Sequence, residues 1–366
     1  MRNPVRPLFL LATLLLILGT LALTLYLLHD ARREKQITIK VVHGHTGPYH
    51  LPYHLVLEKE FLKQENISIK SLNLDSEAKA MDTLLNGQAD MAMLGLEEFI
   101  RAGSRTLDGD FDAVAFAAVS SASDTYLLAR EQKGDFQWSG LKGKTVICGS
   151  PDCIETIILE EILRRNDLIP YENVTLITNI PDDLKIGALK AGIGNYLLVR
   201  EPLASIAQKD GSITVVASPG REIGAIPTVI CAVNKEYLSK HPETVQKFTN
   251  ALYKSLIWIK YHSPEEIRDL RVKSLNKKDR ELNAIMAEKY ARDRTWPENP
   301  NISGDSFQLA VTMMSRAREI PREVSFEQLV DNSFAGRAVS TVEYIPEDKV
   351  PKRKFPLNIL DKITGN

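Results

Sequence analysis

The chain has 366 residues, 44% of them hydrophobic and 25% charged, which is enough for two cores of ordinary size and excludes a disulfide-stapled miniprotein. Its 46 Lys plus Arg against 47 Asp plus Glu leave a net charge of -1, and no long run of one sign follows residue 40, which excludes a nucleic-acid footprint. Three cysteines, Cys148, Cys153 and Cys231, admit at most one bridge, with Cys148 and Cys153 the pair to test, and lack the paired spacing of a structural zinc site.

Leu8 to Leu28 is free of charge and rich in Leu, with Arg2 and Arg6 ahead of it and Arg32, Arg33 and Lys35 behind. About 20 apolar residues span a bilayer, whereas a cleaved signal peptide has a shorter apolar region of about 7–15. Residues 1–36 are therefore expected to be an uncleaved signal-anchor, a single transmembrane helix holding the body at the cell membrane. No cysteine lies in or just after the run, so lipid attachment is unavailable there. Basic residues on both flanks leave the orientation open.

From Ile37 onward short apolar strands alternate with helical stretches, the pattern of a largely parallel sheet covered by helices, so the fold class is α/β. Strands are expected at Ile37–Val42, Ile67–Leu72, Ala89–Leu94, Ala113–Val119 and Thr125–Arg130, with helices at Leu51–Lys63 and Ser76–Leu85. Asn86-Gly87 punctuates the turn before the third strand. Ser120, Ser121, Ala122 and Ser123 are small residues suited to a crossing between lobes, and a hinge is expected there. A second α/β round follows: strands Lys144–Cys148, Val174–Thr178, Tyr196–Val199 and Thr214–Ala217, with helices Ile154–Arg165 and Asp182–Lys190 and a short helix between the last two strands. Past Gly220, Gly224 and Pro227, the strand Thr228–Val233 is expected to return to the first lobe. Helices His241–Tyr261, Pro264–Ser274, Lys278–Arg292 and Gly304–Arg318 complete the body. The expected organisation is lobe 1 from 37–120 plus 225–335, lobe 2 from 121–224, and a loose tail over 336–366.

Several phrases recur in the order and spacing of a known group. Leu55–Leu62 (LVLEKEFL) ends a helix, Leu84–Leu94 (LLNGQADMAML) turns from helix to strand, and Leu141–Gly149 (LKGKTVICG) opens the second lobe; Val199–Pro202 (VREP) and His241-Pro242-Glu243 follow. Together, over about residues 37–259, they resemble the substrate-binding proteins of nitrate, sulfonate, taurine and thiamine-pyrimidine-precursor ABC importers. The resemblance implies the two-lobed clamshell of periplasmic binding protein type II, an extracytoplasmic body, and partnership with a membrane permease. Glu60, Asn195 and Arg200 depart from the group, which has Gly, Asp and an aromatic residue there.

In open α/β sheets the crevice lies beyond the carboxyl ends of the strands. After the first strand come Thr46, Gly47 and Tyr49, after the third Gly95 and Glu97, and at the crossing Ser123. Gly149-Ser150-Pro151-Asp152 is expected to open a helix whose positive end favours an anion, and Arg200, beside Glu201, can pair with a carboxylate or sulfonate. Capping or solvated roles compete with ligand binding at each of these positions. His43, His45, His50 and His54 crowd twelve positions, so a metal site is an alternative to their hydrogen-bonding or surface roles.

No Walker loop, G-x-S-x-G elbow or H-E-x-x-H occurs, so no cofactor and no catalysis are expected, and the importer's ATPase would be a separate subunit. The expected function is capture of a small organic solute, anionic or zwitterionic and sulfonate-like, and delivery to an importer. A neutral pyrimidine stacked on Tyr49 is the runner-up ligand. The alternatives are an enzyme on the same fold, like the thiamine-pyrimidine synthases, whose CCCFC motif is absent here, and a subunit that presents solute to a separate sensor.

Overall fold

The computed structural model describes residues 19–20, 36–44, 47–74, 76–106, 111–130, 135–270 and 280–350. Among them no helix is long and apolar enough to cross a membrane. Apart from Gly19 and Thr20, which are helical, the apolar stretch Leu8–Leu28 lies outside the described residues.

Ten strands form two five-stranded sheets. The first contains β1 (Ile37–His43), β2 (Ile67–Asn73), β3 (Met91–Leu94), β4 (Ala113–Ala118) and β10 (Ile230–Asn234), in the order β2-β1-β3-β10-β4. The second contains β5 (Thr125–Ala129), β6 (Thr145–Ile147), β7 (Thr175–Ile177), β8 (Tyr196–Arg200) and β9 (Thr214–Ala217), in the order β7-β6-β8-β5-β9. Pairing is parallel within each α/β round, and antiparallel where β5 and β10, the first strand after each crossing, slot between neighbours. The two crossings are tied together: Ser120 Oγ lies 2.9 Å from Thr228 Oγ1 and accepts from the backbone N–H groups of Thr228 and Val229.

The helices are α1 (Leu51–Glu58), α2 (Glu77–Leu85), α3 (Leu96–Arg105), α4 (Ile154–Arg165), α5 (Asp182–Lys190), α6 (Leu203–Gln208), α7 (Pro219–Ile223), α8 (Lys235–Lys240), α9 (Pro242–Tyr261), α10 (Pro264–Arg268), α11 (Arg280–Asp293), α12 (Gly304–Arg316), α13 (Phe326–Leu329) and α14 (Ser333–Thr341). Because side chains alternate along a strand, each sheet feeds two cores. Val41, Phe116 and Val233 pack under α1 and α9, while Val42, Ala115 and Ala232 pack under α2, α3 and α12. In the second sheet Tyr126, Leu128 and Val199 face one side, and Leu127, Val146 and Leu198 the other.

Helix α4 belongs to both halves. Its Ile154, Ile157, Ile158 and Ile162, a helical stripe, join the first sheet's core, while Leu159 and Leu163 join the second's. Glu161, buried on the same helix, accepts from Arg316 of α12 and Arg165 of its own helix.

The helix expected over Leu51–Lys63 stops at Glu58. Glu60, where the resembled group has Gly, adopts φ 52°, a left-handed conformation that ends the helix. α3 and α7 occupy segments to which the sequence pattern assigned no helix. The loose tail expected from 336 instead begins inside α14, whose Phe334, Ala335 and Ala338 are buried. Phe334 lies edge-on to Phe116, and its carbonyl accepts from Gln246 of α9. Beyond Val350 that tail lies outside the described residues, as do residues 271–274 and 278–279 of the helices expected there.

Candidate functional site

A cavity of about 700 Å³ lies where the strand ends of both sheets meet. Eight of the residues picked from the sequence line it: Gly47, Tyr49, Glu97, Gly149, Ser150, Asp152, Arg200 and Glu201. Thr46 lies outside the described residues. Gly95 sits behind the lining as the residue preceding α3, and its N–H donates to Glu77 Oε2 at 3.2 Å. A Cβ on Gly95 would stand 2.7 Å from the Glu97 carboxylate oxygens, so only glycine lets that carboxyl fold back over the helix start. Ser123 is buried outside the lining, packed against Gly220 and hydrogen-bonded to Thr125 Oγ1.

Ser150-Pro151-Asp152 does not open the helix as expected. The three residues form a turn, with the Cys153 N–H donating to the Ser150 carbonyl at 3.2 Å, and α4 begins at Ile154. Glu155, in the first turn of α4, therefore occupies the positive helix end intended for a ligand anion.

Arg200 is already paired with two carboxylates. Its Nε donates to Asp124 Oδ1 at 2.6 Å, its Nη1 lies 3.1 Å from Glu155 Oε1, and its guanidinium stacks 4.0 Å over the Tyr49 ring. The Tyr290 hydroxyl donates to the other oxygen of Asp124. Nη2 of Arg200 is buried and has no hydrogen-bond partner. Glu201, fully buried, accepts from Lys289 Nζ at 2.5 Å and from the Ser205 N–H and hydroxyl.

Glu97 is the most perturbed carboxyl of the cavity. Burial, then the neighbouring Glu155 charge, push it up to about 8, so it is largely protonated at neutral pH. Its Oε2 is buried and has no hydrogen-bond partner. Burial and Glu155 also hold the Cys153 thiol well above its ordinary range, so it is not a thiolate nucleophile. All three cysteines are free, Cys148 and Cys153 included.

Sequence reasoning missed Ser76, Glu77, Arg101, Cys153, Glu155 and Asp182 as lining residues. Applying the strand-end rule to β2 and β7 as well would have reached Ser76, Glu77 and Asp182. Arg101 is buried, pairs with Glu98 at 2.6 Å and donates to the Asp152 carbonyl at 2.5 Å, joining α3 to the turn before α4.

His43, His50 and His54 are buried in a ring layer with Tyr49 and Tyr53: His43 lies 6.1 Å from His50 and 5.8 Å from Tyr53 between ring centroids. His45 lies outside the described residues. Among the described residues the one cluster with ligand spacing for a metal is His262, Glu266 and Asp348, far along the chain.

Residues 47–267 match the family described as NMT1/THI5 like. YtlA of Bacillus subtilis, whose name offers a provisional binding role, is 28% identical over 86% of this chain and 94% of its own length. The 4-amino-5-hydroxymethyl-2-methylpyrimidine phosphate synthase THI13 of Saccharomyces cerevisiae is 25% identical over 58% of this chain and 64% of its own. Among solved structures, the ligand-binding component of an ABC-type import system from Staphylococcus aureus superposes with TM-score 0.63 at 16% identity, over 83% of this chain and 99% of that one. The periplasmic nitrate-binding protein NrtA of Synechocystis PCC 6803 gives TM-score 0.65 at 14% identity, over 87% and 92%.

Proposed function

The chain belongs to the NMT1/THI5-like family, and on that premise we propose that it is a solute-binding protein that captures a small organic molecule and hands it to an ABC importer. The observation that carries this reading is the cavity of about 700 Å³, lined from both sheets and spanned by the Tyr49–Arg200 stack and the Arg101–Asp152 hydrogen bond. That volume suits a small ligand held between two lobes. The two sheets support a division into lobe 1 (37–120 plus 225–335) and lobe 2 (121–224), with closure about the tied crossings.

The site itself would comprise Gly47, Tyr49, Glu97, Gly149, Ser150, Asp152, Arg200 and Glu201, with Gly95 and Ser123 supporting and Thr46 adjoining Gly47. The sulfonate-like anion expected from the sequence loses its two supports, since Arg200 is paired and Glu155 holds the helix end. The partners would be a permease with a separate ATPase subunit. The apolar run Leu8–Leu28 would anchor the body on the extracytoplasmic face of the membrane.

The synthases among the relatives keep an enzyme in view. Against it stand the absence of their CCCFC motif from the sequence and a Cys153 thiol held protonated. A thermal-shift screen of the full-length chain against sulfonates, nitrate, amino acids, pyrimidines and amines tests the reading. A saturable rise in melting temperature, with the solute recovered unchanged, is expected; conversion of the solute, or no rise with any of them, refutes it.

A further inference from the structure

We propose, resting on the solute-binding reading, that the cavity takes an organic cation: an ammonium, amidinium or guanidinium compound. Four helices begin at its wall, and each positive helix end already carries a carboxylate of this chain. Glu77 opens α2, Glu97 and Glu98 open α3, Glu155 lies in the first turn of α4, and Asp182 opens α5. An incoming anion would meet these charges before it met a helix dipole.

The basic side chains of the lining are Arg101, Lys185 and Arg200, and each is paired within the protein. Arg101 holds Glu98 at 2.6 Å, Lys185 holds Asp182 at 2.5 Å, and Arg200 lies between Asp124 and Glu155. Glu97 and Asp152, by contrast, have no basic partner within ion-pair distance among the described residues. Glu97 Oε2 is buried without a hydrogen-bond partner, and the carboxyl is pressed onto Gly95, where a Cβ would stand 2.7 Å away. Oε2 is thus an oxygen of the cavity wall with no hydrogen-bond partner from the protein. The partnerless Nη2 of Arg200 can meet an oxygen or ring nitrogen of the same solute, its charge being balanced by Asp124 and Glu155.

The proton on Glu97 gives the binding step a signature. The charged groups acting on it are Glu155 from α4, Glu77 from α2 and Arg200 from β8, with the Glu98–Arg101 pair on its own helix; burial and the two acids outweigh Arg200 and keep it protonated near neutrality. A cation replaces that proton, so binding releases it and strengthens as pH rises toward 8. A neutral donor gains nothing from the change, and an anion is opposed by it.

Titration calorimetry on the full-length chain in detergent, in two buffers of different ionisation enthalpy, reads both effects. The probes are benzylammonium, benzamidinium, phenylguanidinium and alkylammonium salts, each matched by a carboxamide and a sulfonate of the same skeleton. The expected result is a cation that binds about tenfold or more tighter at about pH 8 than at pH 6 and releases a proton. It should bind about tenfold more weakly to Glu97→Gln, whose fold is checked by circular dichroism. A sulfonate or carboxamide that binds as tightly as its matched cation overturns the cation assignment while leaving the solute-binding reading standing. Cation binding indifferent to pH and to Glu97→Gln also overturns it, as does silence from every cation; the solute-binding reading then stands or falls on its own screen.

Discussion

Glu97→Gln should change how stability depends on pH, even with no ligand present. The ordinary value of a glutamate is near 4.5 and burial lifts Glu97 to about 8. Between those values the folded chain keeps a proton that the unfolded chain has released, so stability falls as pH rises, by at most about 1.4 kcal/mol per pH unit. Over the whole interval from 4.5 to about 8 the penalty accumulates to roughly 5 kcal/mol, absent at low pH and complete above the folded value. A glutamine at this position does not titrate. Urea unfolding of wild type and Glu97→Gln, followed by tryptophan fluorescence at steps between about pH 5.5 and 7.5, should show the variant gaining on wild type by about 3 kcal/mol across the range. The other titrating groups act on both proteins and cancel in that difference. Glu155→Gln removes the second-largest cause of the shift, so the folded value of Glu97 falls, the penalty shrinks and the slope ends at lower pH. Parallel stability curves for wild type and Glu97→Gln would refute the claim that Glu97 is held protonated.

Four other substitutions probe the rest of the fold. In Gly220→Ala the new Cβ would meet the Ser123 carbonyl oxygen at 2.0 Å, a backbone atom at the crossing, so a loss of about 1–3 kcal/mol or more is expected by thermal melting; Gly187→Ala, with nothing within 4 Å, should not destabilise. Lys289→Met removes the cation paired with the buried Glu201 carboxylate and should cost about 3–5 kcal/mol in urea melts at neutral pH. Glu60→Gly relieves a left-handed residue and should raise stability by up to about 1 kcal/mol in the same melts; an unchanged midpoint would mean that the exposed Glu60–Lys63 pair offsets the strain.

Many elements were legible because apolar patterns bounded by turns reflect burial directly: the helices Asp182–Lys190 and Ile154–Arg165 and the strand Thr214–Ala217 lie where the pattern puts them. Burial on both faces of α4 was also visible as a run of Ile and Leu, but which stripe faces which sheet depends on the folded arrangement. Helix α3 escaped notice because Arg101, Gly103 and Ser104 are buried in it, so its inward face does not read as apolar. The departure at Asn195 turned out to be mild: its Oδ1 accepts from the Thr145 N–H at 2.9 Å, a task that needs an oxygen rather than a charge.

The ligand's charge is the part for which sequence proximity gave the least support, and the reason is physical. A cation beside a strand end looks available until the fold supplies its partners, and those of Arg200 come from 76 residues away at Asp124 and from the first turn of α4 at Glu155. A helix start looks like an anion site until its own first turn is seen to carry an acid, as it does at α2, α3, α4 and α5. Each of these acids is individually an ordinary helix-stabilising choice, worth a few tenths to about 1 kcal/mol at an exposed end. Brought together at one cavity they repel one another and add to the burial that chiefly keeps the proton on Glu97, and a positively charged solute, as proposed above, would relieve that repulsion.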